Sequence, residues 1–258
     1  YIISVLIIII AITQHPSLVC IFGGIFMKTI ISDYNNINMQ AAQKIKALLE
    51  QKPDAVIAFA AGRSMKGLFA VLSDMCKSGA ISFKDAHIFA VTEFIGAPEA
   101  LTCRAQLEAE LLGNIDVMPR NCRFPGPDCC ERYDDEIAAA GGIDLAVLGI
   151  GHNGHFGYNE PATPFSSHTR IQILAPATRR QLAGVFGGEE KVPEKAVTMG
   201  IKTITDARDI IVLAFGADKA AAVFEMLYAR DDSVIPAAFL QIPMNVTVYA
   251  DAEASSKL

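Results

Sequence analysis

Apolar and polar positions along the chain switch repeatedly between two periods. Short runs rich in Val, Ile, Leu and Ala occur at 28–31, 55–60, 87–92, 143–148, 209–215 and 246–249. Each reads as a buried strand, and the runs at 143–148 and 209–215 end at Gly149 and Gly216. Between them, 38–51 places Ala41, Ala42, Ile45, Leu48 and Leu49 on one face of a helix. The segments 64–77, 101–112, 128–140, 178–186 and 216–229 read as further helices, with a proline-rich loop over 119–127. The alternating run 166–174 suits an edge strand, and 235–240 is apolar and strand-like. Strands alternating with helices predict an α/β protein: a single-domain, three-layer Rossmann-like fold with a mostly parallel sheet covered on both faces. A chain of 258 residues that is 52% hydrophobic can bury such a core as one domain.

The first residues break the pattern. Positions 1–26 contain no Asp, Glu, Lys or Arg, and 2–12 is a dense apolar run. That run is shorter than the ~20 residues a bilayer helix needs. It also lacks the positive leading region and small-residue cleavage site of a signal peptide. Met27 then reads as a natural start. The expectation is an apolar extension over 1–26 outside the fold, from an over-long gene start, and a single domain over 27–258; signal-anchored export is the competing reading.

A net charge of −6 argues against nucleic acid and anionic membrane surfaces as partners. A small anionic substrate would have to be met by a few local cations and helix N-termini. The six cysteines form neither a C-x-x-C pair nor a metal-ligand spacing, and read as reduced thiols of a cytoplasmic protein.

Chemistry concentrates after the 143–148 strand, in Gly149-Ile-Gly-His-Asn-Gly-His155-Phe-Gly-Tyr-Asn-Glu160-Pro161. Glycines such as Gly151 and Gly154 let backbone N–H groups approach a ligand at the carboxyl end of a strand, where open α/β sheets bind ligands. His155 titrates near neutral pH, and a carboxylate at Glu160 can orient it and raise its basicity. A histidine merely satisfied at a strand end is the bland alternative. Earlier, Ala61-Gly62-Arg63-Ser64 joins a strand to a helix with Ser64 as candidate N-cap, a geometry that offers free N–H groups to a phosphate. Arg63 could add a bidentate contact or simply face solvent. Lys219 stands in a first helical turn against the helix dipole, which an anion there would offset.

The 149–161 stretch resembles the active-site signature of the glucosamine-6-phosphate deaminase/isomerase family, Gly-x-Gly-x-Asp/Asn-Gly-His-x-x-x-Asn-Glu-Pro. With Asn153 and Gly157 it resembles the galactosamine-6-phosphate isomerase branch more than the deaminases. The similarity runs from about Met27 to the C-terminus. It implies an aldose–ketose isomerase and deaminase that converts a 2-amino-2-deoxyhexose 6-phosphate to a ketohexose 6-phosphate and ammonia. No metal or organic cofactor is implied; the partner is a small sugar phosphate, and a homo-oligomer is compatible.

In this resemblance His155 opens the pyranose ring, Glu160 orients it, and Asn153 stands where the deaminases commonly carry a relay aspartate. The Gly62–Ser64 turn and Lys219 hold the phosphate. Thr92 occupies the position of the aspartate that moves the C2 proton, and a threonine hydroxyl is no base near neutral pH. Glu93 follows it, but neighbours on a strand face opposite ways. Gln172 replaces a basic residue of the family's allosteric site, and Gly184 a phosphate-binding arginine. Two alternatives stay open: a sugar-phosphate-binding protein that lost the C2 base, and a hydrolase like the 6-phosphogluconolactonases. The latter share the Gly-His but lack the Asn159-Glu160-Pro161 found here.

Overall fold

The apolar runs do pair in parallel. In the computed structural model, which describes residues 8–11, 18–21, 27–229, 235–243 and 245–258, the main sheet is built from β3 (Met27–Ile31), β4 (Val56–Phe59), β5 (His87–Ala90), β7 (Cys122–Arg123), β8 (Leu145–Gly149), β11 (Ile210–Ala214) and β12 (Val246–Ala250). Their order is β3-β12-β11-β8-β4-β5-β7, with every neighbouring pair parallel. Alternate residues of one strand enter opposite cores. Leu145 and Val147 of β8 join Ile37, Ile45, Phe59, Phe69 and Leu72 on one face. Ala146 and Leu148 join Phe89, Tyr133, Phe156 and Met226 on the other. Helices α1 (Tyr34–Gln51) and α2 (Lys66–Lys77) cover the first face, and α7 (Ala220–Tyr228) covers the second.

Strand order decides where a ligand can enter. From β4 the chain runs outward through β5 and β7; it then returns to the other side of β4 as β8 and runs outward again through β11 and β12. The sequence direction therefore reverses between β4 and β8, and the crevice beyond their carboxyl ends is free of crossovers. The two loops that leave those ends are 60–66 and 149–161, the two singled out by their residues.

Several expectations need correction. The run 87–92 is not one strand: β5 stops at Ala90, and Thr92 opens β6 (Thr92–Ile95) in a second sheet with β10 (Lys195–Thr198) and β9 (Arg170–Ile173), in antiparallel order β6-β10-β9. Val91 is the corner, with its N–H still on Phe59 of β4 and its carbonyl accepting from Met199. The segment 235–240 is a 3-10 helix over Pro236–Gln241 rather than a strand, because proline has no N–H for a ladder and its fixed φ suits a first helical position. Nor does 1–26 lie wholly outside the fold. Within it, β1 (Ile8–Ala11) and β2 (Leu18–Ile21) pair antiparallel with each other, and β2 pairs antiparallel with the free edge of β3. An unpaired edge beside a β-branched run is a ready site for strand addition. The rest of 1–26 lies outside the described residues.

Helix ends moved for local reasons. Helix α1 begins at Tyr34, four residues earlier than the apolar face indicates, because Asp33 caps it by accepting from the Asn36 N–H at 3.0 Å. The expected helix 101–112 contracts to α3 (Cys103–Glu110), capped by Thr102 Oγ1 on the Ala105 N–H and flanked by 3-10 turns. Helices α4 (Cys130–Ala139), α5 (Pro176–Phe186) and α6 (Ile201–Thr205) complete the chain. Among the described residues no helix is long and apolar enough to cross a membrane.

At the opposite end of β8 from the crevice, buried Asp144 ties three elements together. Its carboxylate accepts from the Val56 N–H at 2.8 Å, from Lys52 at 2.7 Å and from Arg208 at 2.7 Å. Burial raises its pKa, but these donors outweigh it and hold the group below the usual carboxylate range. Asp144→Ala leaves the Val56 N–H without its acceptor, and we expect a loss of about 2–3 kcal/mol, read as a lower urea midpoint with an unchanged slope.

Candidate active site

The chain leaves β8 through a tight turn in which the Gly151 N–H bonds to the His155 carbonyl at 2.8 Å and the Gly154 N–H to the Gly151 carbonyl at 3.0 Å. This folds the His155 ring back over Gly151. A methyl at position 151 would meet the ring's Cε1, Nδ1 and Nε2 at 2.3–2.5 Å, so only glycine leaves room for the imidazole. Gly154 has φ +77°, which glycine alone adopts freely, and faces Ile235. His155 is 8% exposed. Its Nδ1 lies 3.3 Å from Thr178 Oγ1 and 3.9 Å from Glu160 Oε2, the second distance an electrostatic contact rather than a hydrogen bond.

Glu160 is held from behind. Asn153 Nδ2 donates to its Oε2 at 3.1 Å, and the Ala175 N–H, at the start of α5, donates to its Oε1 at 3.0 Å. A carboxylate at a helix N-terminus is favourably placed in the helix dipole. Asn153 also accepts the His155 N–H at 3.3 Å. Asn159 is structural: it donates to the Phe156 and Met199 carbonyls and accepts from Arg170 Nη1 at 3.0 Å.

His155 lines a cavity of about 660 Å³. On the β4 side its wall is Gly62, Arg63 and Ser64; on the β8 side Gly149, Ile150 and Gly151; Lys219 closes it beyond β11. The Ser64 N-cap expectation is corrected. A 3-10 turn, Arg63–Met65, precedes α2, and no side chain caps either. Gly62, at φ +130°, makes the turn, and Gly62, Arg63, Ser64, Met65 and Lys66 of this double start all line the cavity. Lys219 likewise sits in a 3-10 turn, Ala217–Lys219, before α7; it is 6% exposed, with its Nζ 3.1 Å from Asp218. The structure thus brings Gly62, Arg63, Ser64, Gly151, His155, Thr92 and Lys219 to one cavity, with Asn153, Gly154 and Glu160 directly behind it.

Glu93 is not brought there. Its Oε1 accepts the N–H groups of Phe94 at 2.7 Å and Cys103 at 2.9 Å, and its Oε2 that of Arg104 at 2.8 Å, so it caps α3 and stays off the cavity wall. Thr92 does face the cavity, with its Oγ1 3.4 Å from Cys103 Sγ. Burial, with Glu93 adding to it, pushes the Cys103 thiol up to about 12, and burial also raises the neighbouring Tyr158 phenol. This wall is therefore uncharged at neutral pH. Thr178, Cys103 and Tyr158 were not singled out in the sequence; Thr178 lies 23 positions from His155, and no local spacing announces the contact.

Fold and cavity together define a class: a doubly wound α/β protein with a cavity at its switch point, lined by a buried histidine and, in one corner, by Arg63 and Lys219. The chain belongs to the family of glucosamine-6-phosphate isomerases and 6-phosphogluconolactonases, which matches residues 34–249. It is 39% identical to the glucosamine-6-phosphate deaminase of Hahella chejuensis over 90% of this chain and 92% of that one. It is 35% identical to that of Shouchella clausii over 88% and 95%. Among solved structures, a monomeric glucosamine-6-phosphate deaminase superposes with a TM-score of 0.86 at 30% identity, covering 90% of this chain and 99% of that one. The 6-phosphogluconolactonase of Trypanosoma brucei, at 21% identity and a TM-score of 0.71 over 90% and 98%, shares the fold.

Two outcomes follow from the geometry. Gly151→Ala displaces the His155 ring, and we expect activity to fall by at least on the order of 10²-fold, the size of a lost acid–base group, measured as kcat. Burial pushes the His155 pKa well below its ordinary 6.5, against the pull of Glu160 and with help from Lys219 and His152. The unfolded chain then binds a proton that the folded chain refuses. Stability is full above pH 6.5 and declines as pH falls below it. His155→Gln should remove that decline, which is at most ~1.4 kcal/mol per pH unit between pH 6.5 and about 4, and so flatten the melting-temperature profile over that range.

Proposed function

We propose that this protein is an amino-sugar phosphate isomerase/deaminase acting in the cytoplasm, converting glucosamine or galactosamine 6-phosphate to a ketohexose 6-phosphate and ammonia without a metal or organic cofactor. The observation that carries the reading is the convergence on one cavity of an oriented, neutral imidazole and a corner made of Gly62, Arg63, Ser64 and Lys219. A sugar phosphate seated with its anion in that corner presents its ring to His155. A neutral imidazole can take the anomeric proton and return it to the ring oxygen, opening the hemiacetal. Asn153, Glu160 and Thr178 fix the ring's position during this step.

The C2 proton must then move to C1. Thr92 supplies no base for it, and Glu93 is engaged by backbone donors, so proton transfer at carbon is the slow step of this site. The same uncharged wall favours a second reading, hydrolysis of a sugar-phosphate lactone, in which His155 activates water and no C2 base is used. Asn153 and Gly157 resemble the galactosamine-type branch, which supports testing galactosamine 6-phosphate beside glucosamine 6-phosphate.

The purified protein should release ammonia from one of the two amino-sugar phosphates. His155→Ala should abolish the release while a sugar phosphate still raises the melting temperature. Thr92→Asp should increase the release on the order of 10²-fold. Lactone hydrolysis without ammonia release would replace the deaminase reading with the hydrolase one.

A further inference from the structure

The cavity is equipped for one of two proton transfers. Opening a cyclic hemiacetal needs one proton removed from the anomeric hydroxyl and one delivered to the ring oxygen; no bond to carbon-bound hydrogen breaks. Thr178 and Glu160 occupy the Nδ1 side of His155, and Nε2 has no hydrogen-bond partner among the described residues although the ring lines the cavity. Proton transfer at C2 needs a second base, and at the position of Thr92 the wall carries a hydroxyl beside the Cys103 thiol and the Tyr158 phenol. The two carboxylates on the wall are each beside a lysine: Glu110 lies 3.5 Å from Lys66, and Asp218 lies 3.1 Å from Lys219.

We propose that the protein is also a mutarotase for aldohexose 6-phosphates in general, interconverting their α and β anomers through His155 whatever group they carry at C2. The inference rests on the reading above that the cavity takes a hexose 6-phosphate. In the step, the O1 proton passes to Nε2 as O1 becomes a carbonyl and the C1–O5 bond breaks. O5 receives that proton from the imidazolium. Rotation about C1–C2 presents the other carbonyl face, and the reverse sequence closes the ring with nothing gained or lost. A 2-hydroxy sugar meets every requirement of ring opening that a 2-amino sugar does, because that step breaks and forms no bond at C2.

The probe is glucose 6-phosphate, which carries no nitrogen to release. Magnetisation transfer between its anomeric protons in D2O should show exchange on the order of 10²-fold faster with enzyme than in buffer, with no deuterium at C2 and no ketose over the same interval. His155→Asn should return exchange to the buffer rate, while a melting shift with glucose 6-phosphate shows that the variant folds and binds. Exchange that persists in His155→Asn overturns the assignment, as does C2 deuteration at the rate of anomer exchange. No acceleration alongside ammonia release from an amino-sugar phosphate overturns this inference and leaves the deaminase reading standing; no acceleration and no ammonia from either amino sugar overturns both.

Discussion

A titratable ring buried beside a carboxylate is the constraint on which this structure depends. Desolvation disfavours the charged imidazole, and the contact with Glu160 at 3.9 Å restores only part of the lost stabilisation. His155 is consequently neutral where the protein works, and its orientation has to come from packing and neutral donors. Glycine at 151 provides the space, Thr178 the hydrogen bond, and the 151–155 turn the backbone geometry. Glu160 in turn depends on the start of α5 through the Ala175 N–H. A loop leaving β8 and a helix that follows β9 thereby act as one unit around a single side chain.

The sheet makes that unit useful. Because strand order reverses between β4 and β8, the 60–66 turn and the 149–161 loop open side by side with no crossover between them. Buried Lys219 reaches the same crevice from beyond β11. The result is a divided cavity: a cationic and acid–base side built on the parallel sheet, and a neutral side, Thr92 with Cys103 and Tyr158, built where β6 departs from it. In the proposed reaction, ring opening draws on the first side only. Chemistry at C2 needs the second, and there the chain has a hydroxyl where its family resemblance implies an acid.

How much of this could be read in the sequence follows from the range of the forces involved. Buried parallel strands are continuous apolar runs, so β4, β8, β11 and β12 were plain, and the polar crowding at 149–161 marked the site. Features set by long-range pairing were not. Nothing local shows that Val91 turns a corner onto Met199, so 87–92 reads as one strand and Glu93 as a neighbour of the site rather than the cap of α3. Thr178 is an ordinary first-turn residue until α5 docks. The 3-10 starts at Arg63 and Ala217 are set by Gly62 at φ +130° and Gly216 at φ +91°, a detail that strand-turn-helix patterning does not distinguish from a capped α-helix. Pro236 was legible as a poor strand residue, and the apolar composition of 235–240 masked it.

The most direct test of the central claim is a crystal structure with an open-chain analogue, 2-amino-2-deoxyglucitol 6-phosphate. Our account places its phosphate against the backbone of Gly62–Ser64 and Lys219, with the C1 and C5 hydroxyls within hydrogen-bond reach of His155. A phosphate bound away from that corner, or a chain that leaves His155 without contact, would contradict it.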